Sequence, residues 1–215
     1  WHTEKISKQA SFLEAHPDVG LVFCDLSFRK PDEQVVFLPR APRQPKTVMS
    51  LSDVVWYPYY ATSSVMVYKK VLDEIGVFNT SLKTAEDLDL FIRVAEKYKT
   101  GYMNQTLVSY LYSDDSLSDA SGSFEDNKKV YTSFFDRNKE FENEHPGLKK
   151  RIFYKLSIQY ARFCLSSGKN IKAIKLLFTA AKYKMKPEII FLLLKSLVPP
   201  LFRKIIIKIL IPNSG

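Results

Sequence analysis

The spacing of hydrophobic positions changes character near residue 120. Before that point, helix-like spacing alternates with β-forming runs. Ile6, Ala10 and Leu13 lie close to helical spacing within 1–15, and an apolar, β-rich run follows at 19–28 (VGLVFCDLSF). We therefore predict a helix followed by a strand. Helices that alternate with strands are typical of an α/β sheet with covering helices.

The alternation continues through the rest of this section, with turn-forming residues between the runs. A proline-rich stretch at 39–46 is predicted to be an exposed loop. The remaining pattern predicts strands at 34–38 and 62–68, extended sequence at 101–112, short helices at 51–56 and 70–75, and a longer helix from an N-cap at Thr84 to Tyr98.

Beyond a loop at 113–123 the apolar spacing is helical, and it predicts helices at roughly 124–144, 148–167, 170–185 and 187–210. Gly168 and the small residues Ala173 and Ala180 make one pair of these helices similar to a single tetratricopeptide-like hairpin, which is too little for a repeat array. We therefore predict two domains, an α/β domain at 1–120 and a helical region at 121–215.

The composition is that of a chain with a real core, because 46% of its 215 residues are hydrophobic and 13% are aromatic. The two cysteines, Cys24 and Cys164, lie in apolar runs and are predicted to be buried reduced thiols, which favours a reducing compartment. The chain opens at Trp1, within a predicted helix, so we expect it to be a fragment of a longer protein.

Charge is distributed unevenly along the chain. Residues 1–148 hold 17 Lys and Arg against 22 Asp and Glu, whereas residues 149–215 hold 15 Lys and Arg against Glu188 alone. Such a tail is expected to meet a polyanionic surface. Nucleic acid is the weaker expectation, because no recognition motif accompanies the charge.

The end of the tail, 187–211, is very apolar, but basic residues or prolines interrupt it at five places. A membrane-spanning helix needs about 20 nearly uncharged residues, so we predict helices that lie on an anionic membrane surface. The alternative is a tail that packs on the rest of the chain or on a second subunit. These places are Lys195, the Pro199-Pro200 pair, Arg203, Lys204 and Lys208.

The Glu86-Asp87 pair opens the predicted helix at 84–98 and allows two interpretations. Acids in a first helical turn complement the helix dipole, and Thr84 with Asp87 resembles a capping box. Alternatively, a carboxylate held at a helix start and facing a cleft can accept a proton from a reacting hydroxyl. Both interpretations can hold at once, because a helix terminus fixes a side chain well.

Five stretches stand in a fixed order over about 118 residues. They are residues 1–6 (WHTEKI), 16–25 (HPDVGLVFCD), 63–67 with 71–79 (SSVMV and VLDEIGVFN), 86–95 (EDLDLFIRVA), and 107–110 with 116–118 (LVSY and SLS). Together they resemble motifs of the bacterial family-2 glycosyltransferases, which are inverting enzymes with a GT-A fold. The resemblance implies part of a GT-A, or nucleotide-diphospho-sugar transferase, fold that is followed by a helical region.

The resemblance also implies roles for residues. Asp87 would be the catalytic base and Glu86 would orient the acceptor or the base, while Asp89 and Arg93 are expected to be structural. Residues 57–62 (YPYYAT) lie where these enzymes form part of the acceptor wall, which makes Tyr59, Tyr60 and Thr62 candidates for acceptor binding; aromatic clusters are also common in cores. The family's histidine near the diphosphate is replaced here, and Asp114 or Asp115 could substitute for it.

The implied reaction transfers a sugar from a nucleotide-sugar donor to a glycan or lipid-linked acceptor by one displacement, in surface-polysaccharide synthesis. A divalent cation, Mg²⁺ or Mn²⁺, would be held by an Asp-x-Asp motif expected upstream of Trp1, so the fragment alone is expected to be inactive. The expected location is cytoplasmic, at the inner face of the cell membrane. The alternative is a non-catalytic membrane-docking or scaffold module with a vestigial glycosyltransferase-like part.

Overall fold

The computed structural model of the chain describes residues 1–29, 46–56, 61–111 and 120–197. The predicted strand at 34–38, most of the proline-rich loop and the last part of the predicted helix at 187–210 lie outside these ranges. The chain divides into two compact units, which we call the sheet unit (Trp1–Ser118) and the helical unit (Asp119–Gly215).

The described part of the sheet unit contains a four-stranded mixed sheet in the order β2-β4-β1-β3. Its centre is the parallel pair β1 (Val19–Arg29) and β4 (Lys99–Leu111). The two-residue strands β2 (Val48–Met49) and β3 (Met66–Val67) pair antiparallel with β4 and β1 at the two edges. The apolar, β-rich sequence of β1 suits its central position, because a parallel strand is covered on both faces.

Helices cover both faces of this sheet. Successive side chains of β1 point to opposite faces, and each face packs against different helices. Leu21 and Phe23 pack in one cluster with residues of α2 (Leu51–Trp56), α3 (Lys69–Ile75) and α4 (Glu86–Ala95). Val22 packs in another cluster with residues of α1 (Lys5–Ala15).

Gly101 on β4 lets α1 approach the sheet closely, since a Cβ atom there would overlap the ring of Phe12.

Three predictions for this unit were wrong. The helix predicted over 1–15 begins only at Lys5, so Trp1 does not lie within it. Residues 62–68 do not form one strand: a 3₁₀ turn (Thr62–Ser64) precedes β3. The Ser64 hydroxyl bonds to the Ala61 carbonyl at 2.7 Å, and such local bonds compete with strand pairing. The helix predicted from the Thr84 cap to Tyr98 runs only from Glu86 to Ala95.

The described part of the helical unit consists of helices, as predicted, but the segment predicted as one helix at 124–144 is two, with a break at Asn138. The two helices on either side of Gly168 pack as a hairpin, and Gly168 adopts a positive φ of 73°. One apolar core contains residues of this hairpin, of the first helix of the unit and of the last. The helices are α5 (Ala120–Arg137), α6 (Lys139–Glu144), α7 (Leu148–Ser166), α8 (Asn170–Tyr183) and α9 (Pro187–Leu197).

Among the described residues, no helix is both long and apolar enough to cross a membrane. Both cysteines are buried free thiols, as predicted.

Candidate active site

The Asp87 carboxylate is held at the start of α4 by one hydrogen bond to each oxygen. Its Oδ1 accepts from the Leu88 backbone N–H at 2.7 Å, and its Oδ2 accepts from the Thr62 hydroxyl at 3.3 Å. Asp87 is half-buried, whereas Thr62 is exposed, and the bond between them is open to solvent. The structure thus brings together two of the residues that the sequence nominated, on elements 25 positions apart in the chain.

The backbone turns sharply into this helix. Ala85 occupies the N-cap position with φ 63° and ψ 18°, in the left-handed region that alanine rarely adopts. Since Ala85 has no side-chain oxygen, it cannot cap the helix, and the predicted cap at Thr84 was wrong. Glu86, Asp87 and Asp89 all lie in the first turn of α4, where carboxylates complement the dipole.

Glu86 differs from Asp87 in its surroundings. It is half-buried, and the described residues give its carboxylate neither a hydrogen bond nor an ion pair. Among the residues that the structure describes, it is therefore a carboxylate available to an incoming polar group, next to one that is already oriented.

Asp89 and Arg93 tie α4 to the end of α3. The Arg93 Nε donates to Asp89 Oδ2 at 2.9 Å, and the two remaining nitrogens donate to the carbonyls of Ile75 at 2.8 Å and Val77 at 2.7 Å. The planar guanidinium suits such a divided task, because it presents several donors in fixed directions. All of these partners lie within the protein, which is the arrangement of a structural pair.

The 3₁₀ turn that carries Thr62 is itself fixed from below by α1. The side chain of Gln9, which is 0% exposed, donates from Nε2 to the Ser64 carbonyl at 2.8 Å and to the Val22 carbonyl at 3.3 Å. The Cys24 thiol also lies 3.6 Å from the Ser64 carbonyl. Gln9 was not among the residues nominated from the sequence, and its polar character at a core position of α1 was the available signal.

Within residues 1–6, the side chain of Lys5 lies over the ring of Trp1. The Lys5 ammonium lies 4.3 Å from the centre of the Trp1 ring, and the Lys5 residue is only 1% exposed although Trp1 is 71% exposed. Burial lowers the pKa of Lys5, because desolvation disfavours the charged form. The aromatic face compensates part of that cost through a cation–π contact.

The other nominated residues, Tyr59, Tyr60, Asp114 and Asp115, lie outside the described ranges, so their roles stay predictions. Within the described ranges, no cluster of three or more His, Cys, Asp or Glu side chains could hold a metal ion. The divalent cation therefore stays a prediction.

Comparison with known proteins finds a structural likeness without a sequence match. No family model matches the chain, and no curated protein matches it in sequence. A crystal structure of residues 1–349 of S. aureus TarS, a glycosyltransferase, matches with a TM-score of 0.52 at 12% identity over 84% of this chain and 52% of that one. A second S. aureus TarS structure matches with a TM-score of 0.53 at 11% identity over 90% of this chain and 36% of that one.

The likeness shows the fold. The chain has a glycosyltransferase-like fold, and the predicted class, a partial GT-A fold followed by a helical region, is confirmed. The chain spans about half the length of the first matched chain and about a third of the second.

Proposed function

We propose that this chain is the acceptor-side part of an inverting, family-2-like glycosyltransferase, with Asp87 as the catalytic base. The observation that carries the proposal is the carboxylate of Asp87 itself. It stands at a helix start, is oriented through both oxygens by Leu88 and Thr62, and has the unpartnered Glu86 beside it among the described residues.

The proposed reaction needs only one base on this side. The acceptor hydroxyl oxygen attacks the anomeric carbon of a nucleotide sugar while the bond from that carbon to the diphosphate oxygen breaks. The hydroxyl proton passes to Asp87, whose orientation is fixed before the acceptor arrives. Glu86 receives a hydrogen bond from the acceptor, and Thr62 keeps the Asp87 carboxylate turned towards it.

A divalent cation, Mg²⁺ or Mn²⁺, is part of the proposal, and it would neutralise charge on the departing diphosphate. We place its ligands in an Asp-x-Asp motif upstream of Trp1, with Asp114 or Asp115 near the diphosphate and Tyr59 and Tyr60 on the acceptor side.

The test is Asp87→Asn in the full-length protein, assayed for sugar transfer from a panel of nucleotide sugars. We expect kcat to fall by about 10²–10⁴-fold, the usual contribution of a positioned base, while donor binding measured by calorimetry is unchanged. Glu86→Gln should raise the KM for acceptor and lower kcat less.

A matched control is available in the same unit. Asp73 is an exposed acid in α3, paired with Lys69 at 2.7 Å, and Asp73→Asn should leave transfer unchanged. Full turnover by Asp87→Asn would remove Asp87 as the base. If the wild-type protein transfers no sugar at all, the result favours the alternative of a non-catalytic membrane-docking or scaffold module.

We also propose that the helical unit docks on an anionic membrane surface, at the inner face of the cell membrane. One face of α9 presents four large apolar side chains to solvent, and they are 56–74% exposed. Their spacing is that of a single helical face, which favours a helix lying in an interface. These side chains are Ile190, Phe191, Leu194 and Leu197.

The excess of basic residues in the helical unit favours an anionic membrane as the partner of this apolar face. Residues 149–215 carry 15 Lys and Arg against Glu188, and Glu188 is already paired with Arg162 at 2.6 Å. A helical unit with this excess of basic residues complements anionic lipid, where each cation near the membrane surface contributes on the order of 1 kcal/mol. Such a surface would bring the enzyme to a lipid-linked acceptor.

Co-sedimentation with vesicles of phosphatidylglycerol and phosphatidylcholine tests this docking. We expect the Phe191→Ser/Leu194→Ser variant to bind at least about tenfold more weakly, because two apolar side chains no longer enter the interface. Ile171→Ser, at an equally exposed apolar position on α8, is the control. Equal binding by all three proteins, or binding that is indifferent to lipid charge, would refute the surface; a change of oligomeric state instead would identify it as a subunit contact.

A further inference from the structure

Gln9 is a polar residue in an apolar place. It is 0% exposed in α1, beneath the sheet unit's 3₁₀ turn, and its Oε1 is a buried oxygen without a hydrogen-bond partner among the described residues. A buried amide with one unmet acceptor is less stable there than a hydrophobic side chain of the same size. The fold alone would therefore favour methionine or leucine at this position.

The two bonds that Gln9 does make converge on one structural joint. The shorter reaches the Ser64 carbonyl at 2.8 Å, and the other reaches the Val22 carbonyl on β1 at 3.3 Å. One side chain thus fastens the last residue of the 3₁₀ turn to both α1 and β1.

The turn passes this restraint to Thr62. Within the turn, the Ser64 N–H and hydroxyl both bond to the Ala61 carbonyl, at 2.8 and 2.7 Å, and the Val65 N–H bonds to the Thr62 carbonyl at 3.2 Å. A single turn tied in this way moves as one piece, so a shift at Ser64 is a shift at Thr62. The Thr62 hydroxyl donates to Asp87 Oδ2 at 3.3 Å.

We infer that Gln9 is a positioning residue for Asp87, acting through Ser64 and Thr62. The inference rests on the proposed function, since it assumes that the direction of the Asp87 carboxylate matters for transfer. It assigns to a buried position on α1 an effect on the reaction without any contact with substrate.

The experiment uses the full-length protein with Gln9→Met, Thr62→Val and the double variant. Gln9→Met removes both N–H donors and the unmet acceptor at nearly constant volume, so we expect its Tm to stay within about 5 °C of the wild type. We expect kcat to fall by about tenfold, because a small misplacement of a reacting group is costly, with the KM for donor within about twofold.

The double variant gives the readout that a merely structural role would not produce. If Gln9 acts through Thr62, the second substitution adds little to the first, and the double variant should be no more than about twofold slower than the slower single variant. Independent effects would instead multiply. Ser27→Ala is the control, because Ser27 is also buried in this unit but its hydroxyl, within the part of the chain that the structure describes, bonds only to the Val108 carbonyl and the Ser109 hydroxyl.

The outcomes separate this inference from the proposed function. If Asp87→Asn is inactive while Gln9→Met keeps the wild-type kcat, or while the effects of Gln9→Met and Thr62→Val multiply, the positioning role is wrong and the base stands. If Gln9→Met and Gln9→Leu both fail to fold, Gln9 serves the fold itself and the inference is also wrong. If Asp87→Asn is fully active, the proposed function has failed first.

Discussion

The two units differ in how far along the chain some of their buried side chains find polar partners. In the sheet unit two such bonds are very long-range: Gln9 reaches Ser64 across 55 positions, and the Tyr102 hydroxyl reaches Asp25 across 77. The buried Ser157 of the helical unit instead bonds locally, because its hydroxyl donates to the Phe153 carbonyl, one turn back on the same helix.

Two further buried polar residues of the helical unit also have a local partner. Asp126 pairs with Lys129 three residues on, and the Ser196 hydroxyl bonds to the Leu193 carbonyl. The longer-range polar contacts of this unit include two to Glu188, from Arg162 and from the Tyr154 hydroxyl, and they span 26 and 34 positions. A local bond satisfies a polar group whatever the helix packs against, whereas a long-range bond fixes one element against another. The long-range bonds of Gln9 and Tyr102 therefore fix elements of the sheet unit against one another, and this unit contains the candidate site.

The largest expected effect comes from breaking the Asp89–Arg93 pair. Asp89→Ala would leave the Arg93 guanidinium largely buried without its carboxylate, since the two side chains are 10% and 22% exposed. Removing one partner of a buried pair costs several kcal/mol; with this partial exposure we expect about 2–3 kcal/mol in urea unfolding.

The exposed pair of Asp73 with Lys69 provides the contrast, because its side chains are 60% and 85% exposed. Asp73→Ala should cost less than about 0.5 kcal/mol. Equal losses for the two variants would show that Arg93 does not depend on Asp89.

A smaller loss is expected where α1 meets the sheet. In Gly101→Ala the new Cβ would overlap the Phe12 ring and approach Val22 Cγ2 to 3.1 Å, so α1 must shift. Overpacking of this kind costs about 1–3 kcal/mol. Thermal unfolding of Gly101→Ala with and without Phe12→Ala is the measurement, and the cost should fall in the Phe12→Ala background.

Substitution of Gly147 in the helical unit measures the stability cost of backbone conformation without the cost of crowding. It has φ 78°, but among the described residues no atom beyond Gly147 itself and its two chain neighbours lies within 4 Å of the point that an added Cβ would occupy. Gly147→Ala should therefore cost only about 1 kcal/mol, through its backbone. If Phe12→Ala does not lower the stability cost of Gly101→Ala, crowding by Phe12 is not the cause of that cost.

Element types were easier to predict from the sequence than the contacts between elements. Hydrophobic spacing located β1 and the helices of the helical unit, because those segments bury whole faces. It failed at 62–68, where only Met66 and Val67 pair with β1 and the backbone of Ser64 bonds to Gln9 instead. A residue pattern does not state that a carbonyl has a partner 55 positions away.

The candidate site shows the same limit. The Glu86-Asp87 pair was visible in the sequence because acids cluster at the start of α4. The left-handed Ala85 was not, since alanine gives no signal for a positive φ. The Thr62–Asp87 bond was also out of reach: Thr62 was nominated for acceptor binding, and its contact with Asp87 depends on where the 3₁₀ turn lies relative to α4.

The smallest expected effect is the removal of one hydroxyl from the helical unit, and it has a matched counterpart in the sheet unit. Ser157→Ala should change the free energy of unfolding by less than about 0.5 kcal/mol, because the Phe153 carbonyl keeps its place in the helix and alanine favours helices. Tyr102→Phe deprives the Asp25 carboxylate of a donor at 2.9 Å, in a place where burial and Asp25 raise the pKa of Tyr102.

Because that acceptor is charged and only partly buried, we expect Tyr102→Phe to cost about 1–2 kcal/mol. Urea unfolding of both variants, followed by circular dichroism, measures the two losses under one condition. A loss for Ser157→Ala as large as that for Tyr102→Phe would mean that local and long-range bonds are equally costly to remove. The contrast between the units would then lie in the length of their polar contacts alone and not in what those contacts hold in place.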